Sequence, residues 1–336
     1  MTRRRHRFRA AIVAVGLLLL AAVTFVPLAA AQSGPRLTPR LRVAQLSADQ
    51  GRITTLPGLG CAGHALTGID AVRSLASAGR SRSYRVYLPT TSKPGIRLPV
   101  VIDFHALASN GQLQESLTGF RALAESEGFI LVHPDGVGTP SGWNALLNTT
   151  SGIDDVQFTS DLLDDLLRDY CVDARRIYAT GFSNGAMLAS RIGCQLGSRV
   201  AAIAPVAGFY TPDDNCVGVA PVLAIHGTND DVVPFAGGLT VGVPYPGVEE
   251  SLKQWAGTVA HCSGAESSYY IGPGLRLESY EGCGRELSSL LIVEGLGHAP
   301  PTGAVAEYIW SFFKQQQLPW PTSYAANAPV TPSGLP

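Results

Sequence analysis

Charge is scarce in this sequence: 15% of its 336 residues are Asp, Glu, Lys or Arg, against 46% that are apolar. With a mean hydropathy of +0.15, so little charge excludes a disordered chain, which needs low hydropathy and high net charge. Basic clusters are missing beyond the first ten residues and the pI is 6.6, which excludes a nucleic-acid-binding surface. There is no C-x-x-C pair, no histidine cluster at zinc spacing and no internal repeat. Zinc ligation and repeat architectures go with them, and no metal or organic cofactor is expected.

What is present begins with a leader. Thr2–Arg9 carries five arginines, Ala10–Val26 is an apolar run, and Leu28-Ala29-Ala30-Ala31 offers a small-residue cleavage site before Gln32. A transmembrane anchor is the alternative, but the run is short for a span and Pro27 interrupts it. Cleavage after Ala31 removes five arginines and no acid, leaving 20 basic against 26 acidic residues. A secreted, mildly acidic protein is expected, with no membrane association once residues 1–31 are gone.

Export changes the meaning of the cysteines. Cys61, Cys171, Cys194, Cys216, Cys262 and Cys283 all follow the leader, an even number in an oxidising compartment, so up to three disulfides are expected. Spacing alone leaves fifteen pairings open.

Residues 32–80 carry scattered Gly, Pro and Ser without sustained periodicity, which reads as a poorly ordered arm with one possible tether at Cys61. Residues 319–336 are rich in Pro, Ala and Ser and read as a disordered tail. Between them, over 81–318, the pattern sharpens. Ser83–Pro89 alternates like an edge strand, and Pro99–His105 and Gly128–Pro134 are short apolar runs of the buried parallel kind. Asp154–Tyr170 sets leucines 162, 163, 166 and 167 among acids, an amphipathic helix. Further strands are predicted over 176–180, 200–206, 221–226 and 288–294. Helices are predicted around 120–127, 186–193, 248–257 and 304–316. This alternation predicts an α/β fold, with a mostly parallel central sheet and helices on both faces.

The chemistry centres on Gly181-Phe182-Ser183-Asn184-Gly185. A bare G-x-S-x-G is weak evidence, and the alternative is a glycine-rich turn with an incidental serine. Here a strand, Arg176–Thr180, leads in and a helix leads out, the context of a nucleophile elbow. A serine hydroxyl needs a base, and the base an orienting acid, so an Asp and then a His are required further along, each just past a strand. Asp230 follows the strand 221–225, with Asp231 as the alternative acid, and His298 follows the strand 290–294. His6 goes with the leader and His64 with the arm. His105, His133 and His226 sit at strand ends, where hydrogen-bonded core histidines are common, and His261 adjoins a cysteine in a loop. An oxyanion hole needs two backbone N–H groups. Asn184, at the start of the helix, and Leu107, in the loop after strand 99–105, are the candidates.

The run Tyr170–Met187 resembles exported esterases of the polyhydroxybutyrate-depolymerase/feruloyl-esterase group, as do Ala204-Pro205-Val206-Ala207-Gly208 and His226-Gly227-Thr228-Asn229-Asp230. So do His133-Pro134-Asp135-Gly136 with Gly142-Trp143-Asn144, and the strand before Gly297-His298. The resemblance covers about residues 81–315. It implies an α/β-hydrolase fold, a Ser183/Asp230/His298 triad and hydrolysis of esters on polymers, either polyester or feruloyl-polysaccharide. It also makes Trp143 a candidate for stacking on the substrate, and favours Cys262–Cys283 as a disulfide; Cys194–Cys216 is the weaker preference for a second. Two positions depart from the group: His105 is followed by Ala106 rather than Gly, and Ala299-Pro300-Pro301 replaces an aromatic after the histidine. A monomer acting on a polymeric ester is expected. A peptidase on the same fold and a non-catalytic binding protein are the competing readings. The first lacks residues for a gating domain, and the second has no need of an intact Ser/Asp/His order.

Overall fold

The computed structural model describes residue 61 and residues 67–146, 152–212, 216–283 and 287–319, all within one compact unit. The leader, most of the arm and the tail from residue 320 lie outside them. The strands are β1 (Asp70–Ser77), β2 (Arg80–Tyr87), β3 (Leu98–Phe104), β4 (Ile130–Pro134), β5 (Val172–Phe182), β6 (Ala202–Val206) and β7 (Val222–Gly227). They continue with β8 (Gly238–Thr240), β9 (Val243–Tyr245), β10 (Glu266–Gly272), β11 (Leu275–Tyr280) and β12 (Ser288–Val293). The α-helices are α1 (Gly111–Leu117), α2 (Phe120–Glu127), α3 (Asp155–Asp169), α4 (Asn184–Gln195), α5 (Val248–Gln254) and α6 (Ala304–Phe313).

Ten strands form one sheet in the order β1-β2-β4-β3-β5-β6-β7-β12-β11-β10. The middle, from β4 to β12, is parallel, and antiparallel pairs close both edges. The parallel strands are mostly apolar because both faces are covered; β5 departs at its start, where Asp173, Arg175 and Arg176 are partly exposed. Every residue of β3 is buried. Side chains alternate between faces, so Val100, Ile102 and Phe104 enter one core cluster and Val101 the other. α3 and α4 seal the first face with Phe158, Leu162, Leu166, Met187 and Ile192. α2 and α6 seal the second with Phe120, Ile309, Trp310 and Phe313, the last stacked on Tyr178 at 4.7 Å. Each such fully buried side chain stabilises the fold by about 1.5–3 kcal/mol. Asp154 starts α3 as its N-cap, accepting a hydrogen bond from the Gln157 N–H.

The structure corrects the arm. Its last part is β1, paired along its length with β2 through a two-residue turn at Ala78-Gly79. Both turn residues have positive φ, 48° and 75°, the backbone that matches the twist of a tight hairpin. β1 is an edge strand with mostly exposed side chains, so no buried face imposes a readable alternation. The segment between Cys262 and Cys283 is likewise a hairpin, β10–β11, that extends the sheet beside β12.

The disulfides are Cys61–Cys171, Cys194–Cys216 and Cys262–Cys283. The first closes a separation of 110 residues, a constraint on the unfolded chain worth about 4–5 kcal/mol. Cys171 lies at the opposite end of β5 from Ser183.

One buried ion pair ties the edge to the helical layer. The Arg82 guanidinium donates to Asp155 Oδ1 at 2.8 Å, both side chains almost fully buried, and lies 3.8 Å from the Phe158 ring centre. Asp155 Oδ2 accepts from the Asn144 N–H at 2.7 Å. Arg82→Met leaves that carboxylate without its cation and is expected to cost about 3–5 kcal/mol in urea unfolding. A loss below 1 kcal/mol would show that the pair contributes nothing net.

Candidate active site

Ser183 sits between β5 and α4 with φ 56° and ψ −119°, a conformation few L-residues adopt. The flanking glycines make the turn possible. A Cβ on Gly185 would lie 2.2 Å from Phe104 O and 2.6 Å from His105 O. A Cβ on Gly181 would lie 2.6 Å from the Gly185 carbonyl. The start of α4 thus presses directly against the end of β3. Ser183 itself is buried, with 8% of its surface reaching solvent.

β7 and β12 run parallel in register, Gly227 beside Val293, so the loops after them leave the same edge of the sheet together. Three hydrogen bonds lace them: Thr228 N–H to Val293 O (3.1 Å), Asn229 N–H to Leu296 O (2.9 Å) and Gly295 N–H to Thr228 Oγ1 (2.8 Å). A Cβ on Gly227 would stand 2.1 Å from Leu296 O, so the crossing needs glycine. From these loops Asp230 Oδ2 meets His298 Nδ1 at 2.7 Å. Asp231 is exposed and takes no part.

Asp230 is heavily supported. Its Oδ1 accepts from the Val232 and Val233 N–H groups at 3.0 and 2.8 Å. Its Oδ2 is also 3.3 Å from Nε2 of buried His226, which is 2.9 Å from Val233 O. Burial alone would raise this carboxyl, but the hydrogen bonds from His226 and His298, with that from Val233, outweigh it and hold it well below the usual carboxylate range. The acid is therefore charged at neutral pH. It fixes the proton of His298 on Nδ1 and leaves Nε2 as the acceptor nitrogen. The imidazole packs against the ring of Phe182, 4.7 Å between centres, beside Ser183 in sequence. His226, by its place at a strand end an expected core histidine, is thus a support of Asp230. Its place in His226-Gly227, four residues before the acid, was the available signal.

The loop after β3 carries Leu107. His105 Nε2 accepts from the Gly136 N–H at 2.8 Å, so its proton is on Nδ1, 2.7 Å from Ala106 O. That bond orients the Ala106–Leu107 peptide and hence the Leu107 N–H. Burial pushes the His105 imidazole down, with the Ala106 carbonyl opposing, which keeps it neutral. As the first residue of α4, Asn184 has an N–H without an intrahelical acceptor.

Beneath the loop, Asp103 accepts from Gln114 Nε2 at 2.8 Å and Thr118 Oγ1 at 3.2 Å, joining α1 to β3. Burial pushes the Asp103 carboxyl up to about 7 against both hydrogen bonds, and pushes neighbouring His133 down to about 4.

Trp143 does not face a cleft, which corrects its expected role in stacking on substrate. It is fully buried, edge-on to Phe104 at 5.3 Å and beside His105 and Phe158. Its indole N–H donates to His105 O at 2.8 Å, and its backbone N–H and C=O bracket the Asn184 side-chain amide at 2.8 and 3.2 Å. With its polar edge satisfied inside, the indole gains nothing by facing solvent.

A family model for phospholipases and carboxylesterases matches residues 148–242. The putative esterase NocK of Nocardia uniformis subsp. tsuyamanensis is 30% identical over 260 residues, 69% of this chain and 74% of that protein. The chain belongs to the esterase group of the α/β-hydrolase family. Feruloyl esterase B of Piromyces equi is 34% identical over 235 residues, 66% of this chain and 42% of that protein. This chain spans about two fifths of the length of the larger curated relatives it matches. Among solved structures, an acetyl xylan esterase from Aspergillus awamori matches with a TM-score of 0.56 at 17% identity, over 72% of this chain and 99% of that one. That likeness is one of fold, and the sheet with helices on both faces described above is the α/β-hydrolase fold. In this family the strand, serine turn and helix form the nucleophile elbow, and the acid and histidine come from later strand ends.

Proposed function

We propose that the protein is an exported serine esterase that removes acyl groups, such as hydroxycinnamoyl or acetyl, from plant polysaccharide. The observation that carries the reading is the 2.7 Å contact of Asp230 with His298, launched from adjacent strand ends beyond a strained serine turn. Feruloyl and acetylxylan esterases among its relatives support the substrate class over a polyester. Three disulfides support an oxidising compartment.

In this reading Ser183 Oγ attacks the ester carbonyl while His298 Nε2 takes its proton. The oxyanion is held by the N–H groups of Asn184 and Leu107. Collapse expels the alcohol, which receives the proton from His298, and leaves an acyl group on Ser183. Water then attacks, again giving a proton to His298, and the acid departs with Ser183 restored. Asp230 keeps its charge throughout and stabilises the imidazolium.

A fluorophosphonate is expected to label Ser183 stoichiometrically in the folded protein. Methyl ferulate and acetylated xylan are expected to turn over, while p-nitroanilide amides are not. Absence of label at Ser183 would overturn the mechanism. Label with turnover of polyhydroxybutyrate film alone would move the substrate class to polyesters.

A further inference from the structure

The two N–H groups assigned to the oxyanion come from segments far apart in the chain, and the elbow fixes only how closely Gly185 approaches the Phe104 and His105 carbonyls, two residues short of Leu107. Trp143 is bonded to both segments at once. Its indole N–H holds His105 O at 2.8 Å, the carbonyl of the peptide just before the one that presents the Leu107 N–H. Its backbone holds the side chain of Asn184, whose own N–H is the other donor, through two hydrogen bonds of 2.8 and 3.2 Å.

The loop that carries Trp143 is itself braced. Ala108 N–H donates to Ser141 O at 2.7 Å, Ser141 Oγ to Ser109 O at 2.6 Å, and Gly136 N–H to His105 Nε2 at 2.8 Å. On its far side Asn144 N–H is held by Asp155, which is paired with Arg82. The indole is wedged against Phe104, His105 and Phe158 with no exposed surface, so it has no room to shift.

We propose that Trp143 is a positioning residue that sets the spacing and aim of the two oxyanion donors, touching neither substrate nor oxyanion. This rests on the serine-esterase reading. A donor displaced by about 1 Å loses most of its value to a developing negative charge while still accommodating the neutral ester. The effect therefore falls on the transition state and not on substrate binding.

The test is Trp143→Phe, which keeps a ring in the wedge and removes the indole donor, assayed on p-nitrophenyl butyrate. Rates are expressed per site titrated to completion with a fluorophosphonate, so that misfolded protein is not counted. A fall in kcat of about ten- to a hundredfold is expected, with KM within twofold. The inhibition constant of an aliphatic trifluoromethyl ketone, which forms an oxyanion adduct on Ser183, should rise by the same factor as kcat/KM falls. If Trp143→Phe does not fold, replacement by 3-benzothienylalanine exchanges only the indole N–H for sulfur and keeps the shape. Unchanged kcat and ketone affinity per titrated site would overturn the positioning role while leaving the esterase reading intact. Parent protein that neither takes the label nor hydrolyses the ester would overturn both.

Discussion

Ser183→Ala is expected to lower kcat on p-nitrophenyl butyrate or methyl ferulate by about 10⁵–10⁶-fold, the scale set by removing the nucleophile from a serine hydrolase. The fold should be indifferent, because the Ser183 side chain makes no capping hydrogen bond to α4 and the turn geometry is enforced by backbone packing at Gly181 and Gly185. Urea unfolding of the variant should therefore match the parent within about 1 kcal/mol, while fluorophosphonate labelling disappears. Retention of more than a few per cent of the parent rate would mean that another group attacks the ester.

Asp230→Asn is expected to lower kcat by about 10⁴-fold. The carboxylate at 2.7 Å requires a proton on His298 Nδ1, whereas an asparagine amide turned towards that nitrogen favours the tautomer with the proton on Nε2, which cannot then accept one. Asp231→Asn should leave the rate within twofold of the parent, since that side chain is exposed. The opposite pattern would transfer the acid to Asp231. The depressed acidity of Asp230 also decides how the rate depends on pH. The carboxylate stays charged through the mildly acidic range, so any loss of rate there does not follow its protonation. Because folding lowers this group below its usual value of about 4, its contacts stabilise the protein above that pH and lose the contribution as the pH falls through the folded-state value. Asp230→Asn should accordingly lower the urea midpoint more at pH 7 than in strong acid.

The elements that position the site were legible because their patterns are local. The apolar runs of β3, β4 and β7 stand out because a strand covered on both faces carries no regular polar alternation. α3 stands out through its leucine spacing. β1 was illegible because an exposed edge strand is under no such demand, and β10 was hidden because it too is a largely exposed edge strand. The order serine, acid, histidine could be read because each follows a strand and the chain order is a property of the topology.

Composition and periodicity do not separate Asp230 from Asp231, neighbours of the same type; only the resemblance carried by His226-Gly227-Thr228-Asn229-Asp230 favours the first. Their difference arises where the loops after β7 and β12 cross, over a glycine that leaves room for Leu296 O. Trp143 illustrates the same limit more sharply. A tryptophan has both a stacking face and a packing face, and its sequence neighbours do not say which is used. Burial against Phe104 and Phe158, with the indole N–H spent on His105 O, is a fact of the assembled layers.

By itself, then, the sequence determined the kind of fold, the serine turn, the histidine after the last strand and an export leader worth testing, because short-range periodicity and turn chemistry encode such features. Tertiary structure brought Asp230 rather than Asp231 to that histidine, joined Cys61 to Cys171, and buried the Trp143 ring. Each of those depends on residues far apart in the chain arriving within about 3 Å of one another, a distance that scarce charge, abundant glycine and the spacing of motifs constrain without specifying.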